Sequence, residues 1–577
     1  MWNLTYALAE EIGDPDLFVG REKEMARLLK WAAGTKRRIS KSMGILARRK
    51  KGKTALLQRF FNILYTRNDP QLIPFYYRIP EKHQAQLDFT ETFYRRTLTQ
   101  YFAFTTRTPK WVGTVLSMDA LKKLAASDRD LADDIRDMEY MLARAPTSAW
   151  PFAQEAAHRI SQVKDVRIIQ ILDEFQYMNK WIVSDDDPKR IELLCHSYMG
   201  AAESKFSPQI VAGSYIGWLG AILGHLTARY DEWHLEGLTD DEALQAVYNY
   251  AYTYQVPISE ATAPYIAQVC DNDPYYIAAT ISNRPDEKDL TTEEGVRDAL
   301  SFETVAGQGR IAHVWHEYLL DAFARINDVN ARKIVLYLAR HEPEARTRAQ
   351  IRDELDLTLT DEELEKRMHQ LVKADILAYG SSYFHYRGLG DKVFAVFFRR
   401  LYGTEIEQLD DATIVDDFKR QLAAAKGHIA IQKGTLAEHR VRYRLLVSSL
   451  RGATLDDIVT DCPGQDATPV GSFASIRKAR FFVDQEKSLE IDLHAVHESD
   501  DGTDLMIEVK DWETEPPMDA VRRFVAVKNA LDGQLKRRTV FLFYSESGLG
   551  EDAVAALNEA GVLVLDPAKL AGYEASF

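Results

Sequence analysis

The stretch Gly44-Ile-Leu-Ala-Arg-Arg-Lys-Lys-Gly-Lys-Thr54 decides how this chain is read. It runs from apolar residues (Met43, Ile45, Leu46) through a basic loop into a segment of helical character beginning near Lys53. From Ala47 to Thr54 it follows the phosphate-loop spacing of Gly, four residues, then Gly-Lys-Thr, at every position but the first, where Ala47 stands for Gly. These residue types suit a triphosphate. Successive backbone N–H groups and a helix N-terminus face the anionic oxygens, Lys53 reaches the β- and γ-phosphates, and the Thr54 hydroxyl ligates Mg²⁺. Gly52 lets the backbone come close to the phosphates. The expected ATP-binding residues are therefore Ala47, Arg48, Arg49, Lys50, Lys51, Gly52, Lys53 and Thr54.

Working outward, Ile168-Ile-Gln-Ile-Leu-Asp-Glu174 reads as a buried strand ending in two adjacent carboxylates. Asp173 at a strand's C-terminal edge is placed to hold the Mg²⁺ shell, and Glu174 to activate water. Taken alone, the pair would read equally well as a helix cap and a first-turn acid. Together with the loop it favours a nucleotide site. Pro208-Gln-Ile-Val-Ala-Gly-Ser214 is a further strand, and Ser214 at its end is either a γ-phosphate sensor or a helix cap.

The chain of 577 residues is long enough for several domains, and its 46% apolar content predicts ample cores. A net charge of −15 gives no overall basic field, so any contact with nucleic acid must come from local patches. Three isolated cysteines suggest a reducing compartment and exclude a cysteine-based zinc module. No basic-then-apolar leader begins the chain, and the longest apolar stretch, 215–223, is too short to span a bilayer. A cytoplasmic protein without a membrane partner is expected.

In chain order, Phe18-Val-Gly-Arg-Glu-Lys-Glu24 precedes a helix with apolar Met25, Leu28, Leu29 and Trp31. The stretch 72–79 is an apolar and aromatic strand with a proline inside, which places it near a sheet edge. Residues 81–164 read as a helical insertion. After a short strand at Trp233-His-Leu, Thr239 and Glu242 have capping-box spacing, and helices continue to about Phe323 with a break at Asp271-Asn-Asp-Pro274.

Phe18-Val-Gly-Arg-Glu, the 47–54 loop, Leu172-Asp-Glu-Phe-Gln-Tyr and Gly213-Ser214 together resemble the archaeal-type P-loop ATPases, relatives of the AAA+ and STAND groups, over residues 16 to about 400. The resemblance implies a five-stranded parallel additional-strand NTPase core, a helical lid and a winged helix. The expected divisions are a core at 16–236, a lid at 237–325, a winged helix at 326–404 and a polar linker helix at 405–430. In the winged helix the third helix opens with Asp361-Glu-Glu, which repels phosphates, so packing is preferred to DNA reading. Ring ATPases of this kind present an arginine to a neighbour's γ-phosphate. Arg229, expected at the end of the helix after Ser214, is the candidate arginine finger, against a plain helix-capping role.

From Gln432 strands alternate with helices. Gly434-Thr-Leu-Ala-Glu438 opens a helix, and Leu489-Glu-Ile-Asp-Leu-His-Ala-Val496 is a strand by alternation, with Glu490, Asp492 and His494 on one face. Leu505-Met-Ile-Glu-Val-Lys510 is a second strand, so a hairpin brings Asp492, Glu508 and Lys510 to one place. Close acids on adjacent strands call for a cation between them. With the terminal strand–helix–strand order, residues 431–577 resemble the PD-(D/E)xK, restriction-endonuclease-like nucleases. That resemblance implies Glu438, Asp492 and Glu508 as metal ligands and Lys510 as the residue that positions water and stabilises the phosphorane. The family's proline before the first acid is replaced by Ile491. Arg477, Lys478, Arg480 and Lys536-Arg-Arg538 are basic clusters able to track a phosphate backbone, and His494 is expected to fill its face of the strand.

The expectation is a multidomain α/β protein: a P-loop ATPase using ATP and Mg²⁺, a homo-oligomer through that domain, joined to a metal-dependent DNA endonuclease with DNA as partner, as in defence against foreign DNA. The alternative is an ATP-switched DNA-binding or signalling ATPase whose nuclease-like domain is non-catalytic.

Overall fold

The computed structural model describes residues 4–573, apart from 215, 225–228, 324–327, 381, 383, 408–410, 425–432, 461–467, 483–487, 511–514, 533–534 and 536. It divides into two compact units, residues 1–237 with 312–414, and residues 238–311 with 415–577.

In the first unit the phosphate-loop stretch follows β1 (Ser42–Leu46) and leads into α1 (Lys53–Arg67). β1 joins β2 (Leu72–Arg78), β3 (Arg167–Asp173), β4 (Gln209–Gly213) and β5 (Tyr230–His234) in one sheet of order β2-β3-β4-β1-β5. All four pairings are parallel, as the resemblance implied. β1, β3 and β4 are buried along their whole length, which is why they read as near-continuous apolar runs. Pro74 lies in β2 at the sheet edge, where a missing backbone donor costs no ladder bond. The insertion is helical: Gln86–Thr105, Met118–Leu124, Arg129–Arg144, Pro146–Gln154 and Ala156–Val163. Parallel order puts the C-terminal ends of β1, β3 and β4 on one edge.

The remainder of this unit holds helices Val329–Arg340 and Arg348–Glu354, α2 (Asp361–Lys373), and a small antiparallel sheet. That sheet contains β6 (Arg346–Thr347), β7 (Ala378–Tyr379) and β8 (His385–Arg387), with β8 in the centre. The three helices and strand pair fall where the periodicity placed them. In α2 the N-terminal Asp361 pairs with Arg352 and Glu363 accepts the Thr360 N–H, while Arg367 further along pairs with Asp328.

In the second unit the capping box of Thr239 and Glu242 is formed at the start of α3 (Asp240–Thr253). Helices Thr262–Val269, Pro274–Ser282 and Glu293–Val305 follow. The helix expected within 405–430 is Asp411–Ala424, and Phe418 and Leu422 of its second-unit part are buried at a spacing of four. Tyr265 donates its hydroxyl to Leu422 O at 3.0 Å, and Lys419 pairs with Asp298 at 2.6 Å. The expected boundaries at 325/326 and 430/431 lie outside the described residues.

The C-terminal part is an α/β layer. Helix α4 (Lys433–Leu450) packs on a five-stranded sheet of β9 (Phe473–Phe482), β10 (Ser488–His497), β11 (Asp504–Lys510), β12 (Thr539–Ser545) and β13 (Leu563–Leu565), in sequential order. β9-β10-β11 is antiparallel, and β11-β12-β13 is parallel. One face of the sheet packs on Val441 and Leu445 of α4, the other on Val521 and Phe524 of helix Met518–Leu531.

Among the described residues, no helix is long and apolar enough to cross a membrane. Cys195 and Cys270 are buried free thiols, and Cys462 lies outside the described residues.

Candidate nucleotide site and C-terminal carboxylate–lysine site

At the C-terminal edge of the first sheet the predicted residues converge. Gly52 adopts φ 82°, in the left-handed region a glycine reaches without strain, and α1 begins at the next residue. Lys53 is only 4% exposed. Thr54 Oγ1 donates to Asp173 Oδ2 at 2.7 Å, and the Tyr76 hydroxyl reaches the same oxygen at 3.2 Å. Glu174 is held in the left-handed region at φ 53°, a conformation that persists in a non-glycine residue only where its surroundings fix it. Those surroundings are polar. Ser214 donates its hydroxyl to Glu174 Oε1 and its backbone N–H to Oε2 at 3.3 Å, and Gln176 Nε2 donates to Oε2 at 2.7 Å. Gly213 leaves room for Gln176, since a Cβ at that position would lie 2.0 Å from Gln176 Oε1 and displace the amide.

The two carboxylates are electrostatically distinct. Burial pushes the Asp173 carboxyl up, and the neighbouring Glu174 charge acts in the same direction. Burial also opposes the Glu174 charge, but Lys53 and the hydrogen bonds from Ser214 and Gln176 outweigh it and hold this group below its ordinary range. Glu174 is thus kept ionised. A Mg²⁺ ion suits the Thr54–Asp173 pair: a hydroxyl and a carboxylate oxygen 2.7 Å apart are hard donors, and triphosphate oxygens and water complete such a shell.

The other loop residues have local roles. Arg49 reaches the Tyr177 hydroxyl at 3.1 Å and Glu81 at 3.5 Å. Arg48 donates to Leu389 O at 2.8 Å and lies 3.7 Å from Asp391. Lys50 adopts φ 65°. One contributor was not singled out from sequence. Arg21, 3% exposed, donates to Lys51 O at 3.0 Å, Glu236 O at 2.9 Å and Gly237 O at 3.3 Å. It fastens the phosphate loop to the segment after β5. Its signal was the Phe18-Val-Gly-Arg-Glu motif, noted without a role for the arginine.

Arg229 is not at the end of a described helix. The helix after Ser214 is Ile216–Gly224, residues 225–228 lie outside the description, and Arg229 directly precedes β5. It pairs with Glu203 at 3.0 Å.

The C-terminal hairpin also brings its predicted residues together. Leu493 pairs with Ile507, and just beyond that pair Asp492 Oδ2 accepts the Val509 N–H at 2.9 Å. Lys510 Nζ lies 2.6 Å from Glu508 Oε1 and 3.5 Å from Asp492 Oδ2. Glu438 on α4 joins them: burial and then the Asp492 charge push its carboxyl up to about 7. Burial, with Asp492 close by, pushes the Glu508 carboxyl up as well. For Lys510 burial opposes the charge, but Glu508 and Asp492 outweigh it and raise the group, so it stays charged. A second lysine belongs to the cluster, since Lys478 lies 2.8 Å from Glu490 and 3.9 Å from Glu438.

Among the described residues no three His, Cys, Asp or Glu side chains come together so as to hold a metal ion. The Lys510 ammonium is seated between Asp492 and Glu508. His494 fills its face as expected, 13% exposed and 5.6 Å from the Phe481 ring. Arg537 lies against Asp504 at 3.6 Å, while Lys536 and the side chains of Arg477 and Arg480 lie outside the described residues.

No protein-family model matches the chain, and no curated protein sequence matches it significantly. Among solved structures, a Walker-type ATPase of Pyrococcus abyssi is similar at 15% identity and TM-score 0.44, over 68% of this chain and 99% of that one. The ORC2 protein of Aeropyrum pernix, in its ADPNP–ADP complexes, is similar at 15% identity and TM-score 0.40, over 73% of this chain and 99% of that one. The RuvB Holliday junction branch migration motor of Thermotoga maritima gives 15% identity and TM-score 0.28, over 65% and 94%.

Proposed function

We propose that the chain hydrolyses ATP at the Ala47–Thr54 loop and acts on DNA at the Asp492–Glu508–Lys510 constellation, as a nuclease coupled to a P-loop ATPase. The observation that carries the first half is the convergence of three strand ends on one spot: Thr54 bonded to Asp173, with Glu174 held ionised beside buried Lys53 and Ser214. In hydrolysis Lys53 neutralises charge on the β- and γ-phosphates. Glu174 orients and deprotonates the attacking water, and Ser214 holds Glu174 in place. Mg²⁺, carried by Thr54 and Asp173, supplies further charge neutralisation. Self-association through this domain, with Arg229 offered to a neighbouring subunit, remains part of the proposal. A monomer whose specific activity is independent of protein concentration removes it.

The second half is supported by the pairing of Asp492, Glu508 and Lys510 on adjacent strands, with Glu438 facing them from α4. The position of Lys510 between the two acids favours a second reading, an ATP-switched DNA-binding or signalling ATPase whose C-terminal domain does not cut. Incubation of plasmid, single-stranded and branched DNA with the full chain and Mg²⁺ or Mn²⁺, with and without ATP, decides between them. Cleavage lost in Asp492→Ala supports the nuclease, and intact DNA retained in a complex supports the second reading.

A further inference from the structure

Helix α4 carries Glu438 toward the C-terminal sheet, and its next stripe carries Arg440 and Arg444, one turn apart on the same face. Both arginines are buried, at 9% and 5% exposure. Guanidinium groups in such surroundings must be compensated by acids. One of those acids comes from outside the C-terminal domain. Glu260, in the turn before helix Thr262–Val269, pairs with Arg444 Nη2 and lies 3.5 Å from Arg440 Nε. The other is Glu546, 3.2 Å from Arg440 Nη1, which also accepts the Tyr544 hydroxyl. Tyr544 in turn takes a bond from Arg444 Nη1 at 3.4 Å.

This network abuts the carboxylate–lysine site. The Glu546 N–H donates to Lys510 O at 3.1 Å, and Ser545 of β12 lies beside Lys510 in the sheet register. Aromatic packing follows the same path, with Tyr248 of α3 5.3 Å from Tyr443 and 6.4 Å from His439.

We infer that Glu260, in the helical segment 238–311, is a positioning residue for the C-terminal site: through Arg440 and Arg444 it fixes α4, and with it Glu438, against the strands bearing Asp492, Glu508 and Lys510. The inference rests on the reading that this site acts on DNA. It makes the segment between the two ATPase-unit portions a structural part of the second site. Without Glu260, Arg440 and Arg444 lose the acid they share, and α4 can shift by the fraction of an ångström that costs a positioned group its effect.

The test uses the full chain. In Glu260→Gln, DNA cleavage should fall about tenfold or more in kcat with little change in KM, while ATP turnover stays at the wild-type rate. Hydrogen exchange should lose protection across 433–450 and 504–510 and keep it elsewhere, and Glu260→Asp should restore part of it. Unchanged exchange at 433–450 overturns the inference. If the wild-type chain cuts no DNA, the nuclease reading fails, but the exchange comparison still decides the role of Glu260. Should Glu260→Gln fail to fold, Arg440→Lys keeps the charge and loses the planar fork joining Glu260 to Glu546. Unchanged exchange in that variant overturns the inference equally.

Discussion

The Thr54 hydroxyl donates to Asp173 across 2.7 Å, joining the start of α1 to the end of β3 over 119 residues of sequence. The bond shows why the two motifs had to be read as one. Neither is diagnostic alone, but parallel strand order brings the C-terminal ends of β1 and β3 to the same edge of the sheet.

From this geometry Lys53 and Glu174 should separate by phenotype. Lys53→Ala removes the buried charge that faces the phosphates, and both nucleotide binding and hydrolysis should fall, turnover by about two orders of magnitude or more. Glu174→Gln keeps the shape and the Ser214 contact but cannot take a proton. It should bind ATP near the wild-type affinity while turnover is lost. Equilibrium binding of a fluorescent ATP analogue, beside phosphate release, checks both, and a Glu174→Gln chain with wild-type turnover removes the residue from its role as base.

Arg21 should act on affinity. Its three carbonyl acceptors hold the loop at Lys51 to the segment after β5, so Arg21→Ala leaves the loop's backbone N–H groups poorly aimed. The expected result is an ATP Kd raised about tenfold, equivalent to about 1.4 kcal/mol, with a smaller effect on kcat. An unchanged Kd by calorimetry contradicts it.

Asp375 gives a pH prediction. Its Oδ1 accepts the Gly217 N–H at 2.6 Å, and burial, opposed by that bond and by Arg48, pushes the carboxyl up to about 7. The folded pKa therefore lies above the unfolded one, near 4. Between these values the folded chain binds the extra proton, so stability declines as pH rises from about 4 to about 7, by at most about 1.4 kcal/mol per pH unit from this group. Asp375→Asn should flatten that part of the Tm-against-pH curve relative to wild type. Parallel curves for the two proteins count against it.

Much of this was legible because local chemistry and fold agreed. Fully buried parallel strands announce themselves as apolar runs, and the alternation in 505–510 placed Glu508 and Lys510 on one face, as found. What was not read has physical causes. In 405–430 the helix was expected but its buried face was not, because charged residues outnumber the apolar ones at 414, 418 and 422. Arg21 and Glu260 act through contacts over 215 and 184 residues, and no local pattern encodes such distances. The metal set at Glu438, Asp492 and Glu508 follows from the nuclease resemblance, and the same close acids also seat the Lys510 ammonium.

That ambiguity sets the last prediction, at the C-terminal site. Lys510 is held by Glu508 at 2.6 Å and Asp492 at 3.5 Å, so its removal should act differently under the two readings. If the site cuts DNA, Asp492→Ala and Glu508→Ala should each abolish cleavage. Lys510→Ala should leave binding of DNA intact but slow the chemical step by roughly two orders of magnitude, because its charge matters most as negative charge builds on the phosphorus. If the site only binds, Lys510→Ala leaves two uncompensated, half-buried acids facing the nucleic acid, and affinity falls instead, with a smaller dependence on salt. ATP turnover should persist in all three variants, since Lys53, Asp173 and Glu174 belong to the other unit. Single-turnover cleavage measured beside a salt titration of DNA affinity separates these outcomes. Three variants that bind and cut DNA like the wild type would show that the constellation serves only to hold the hairpin together.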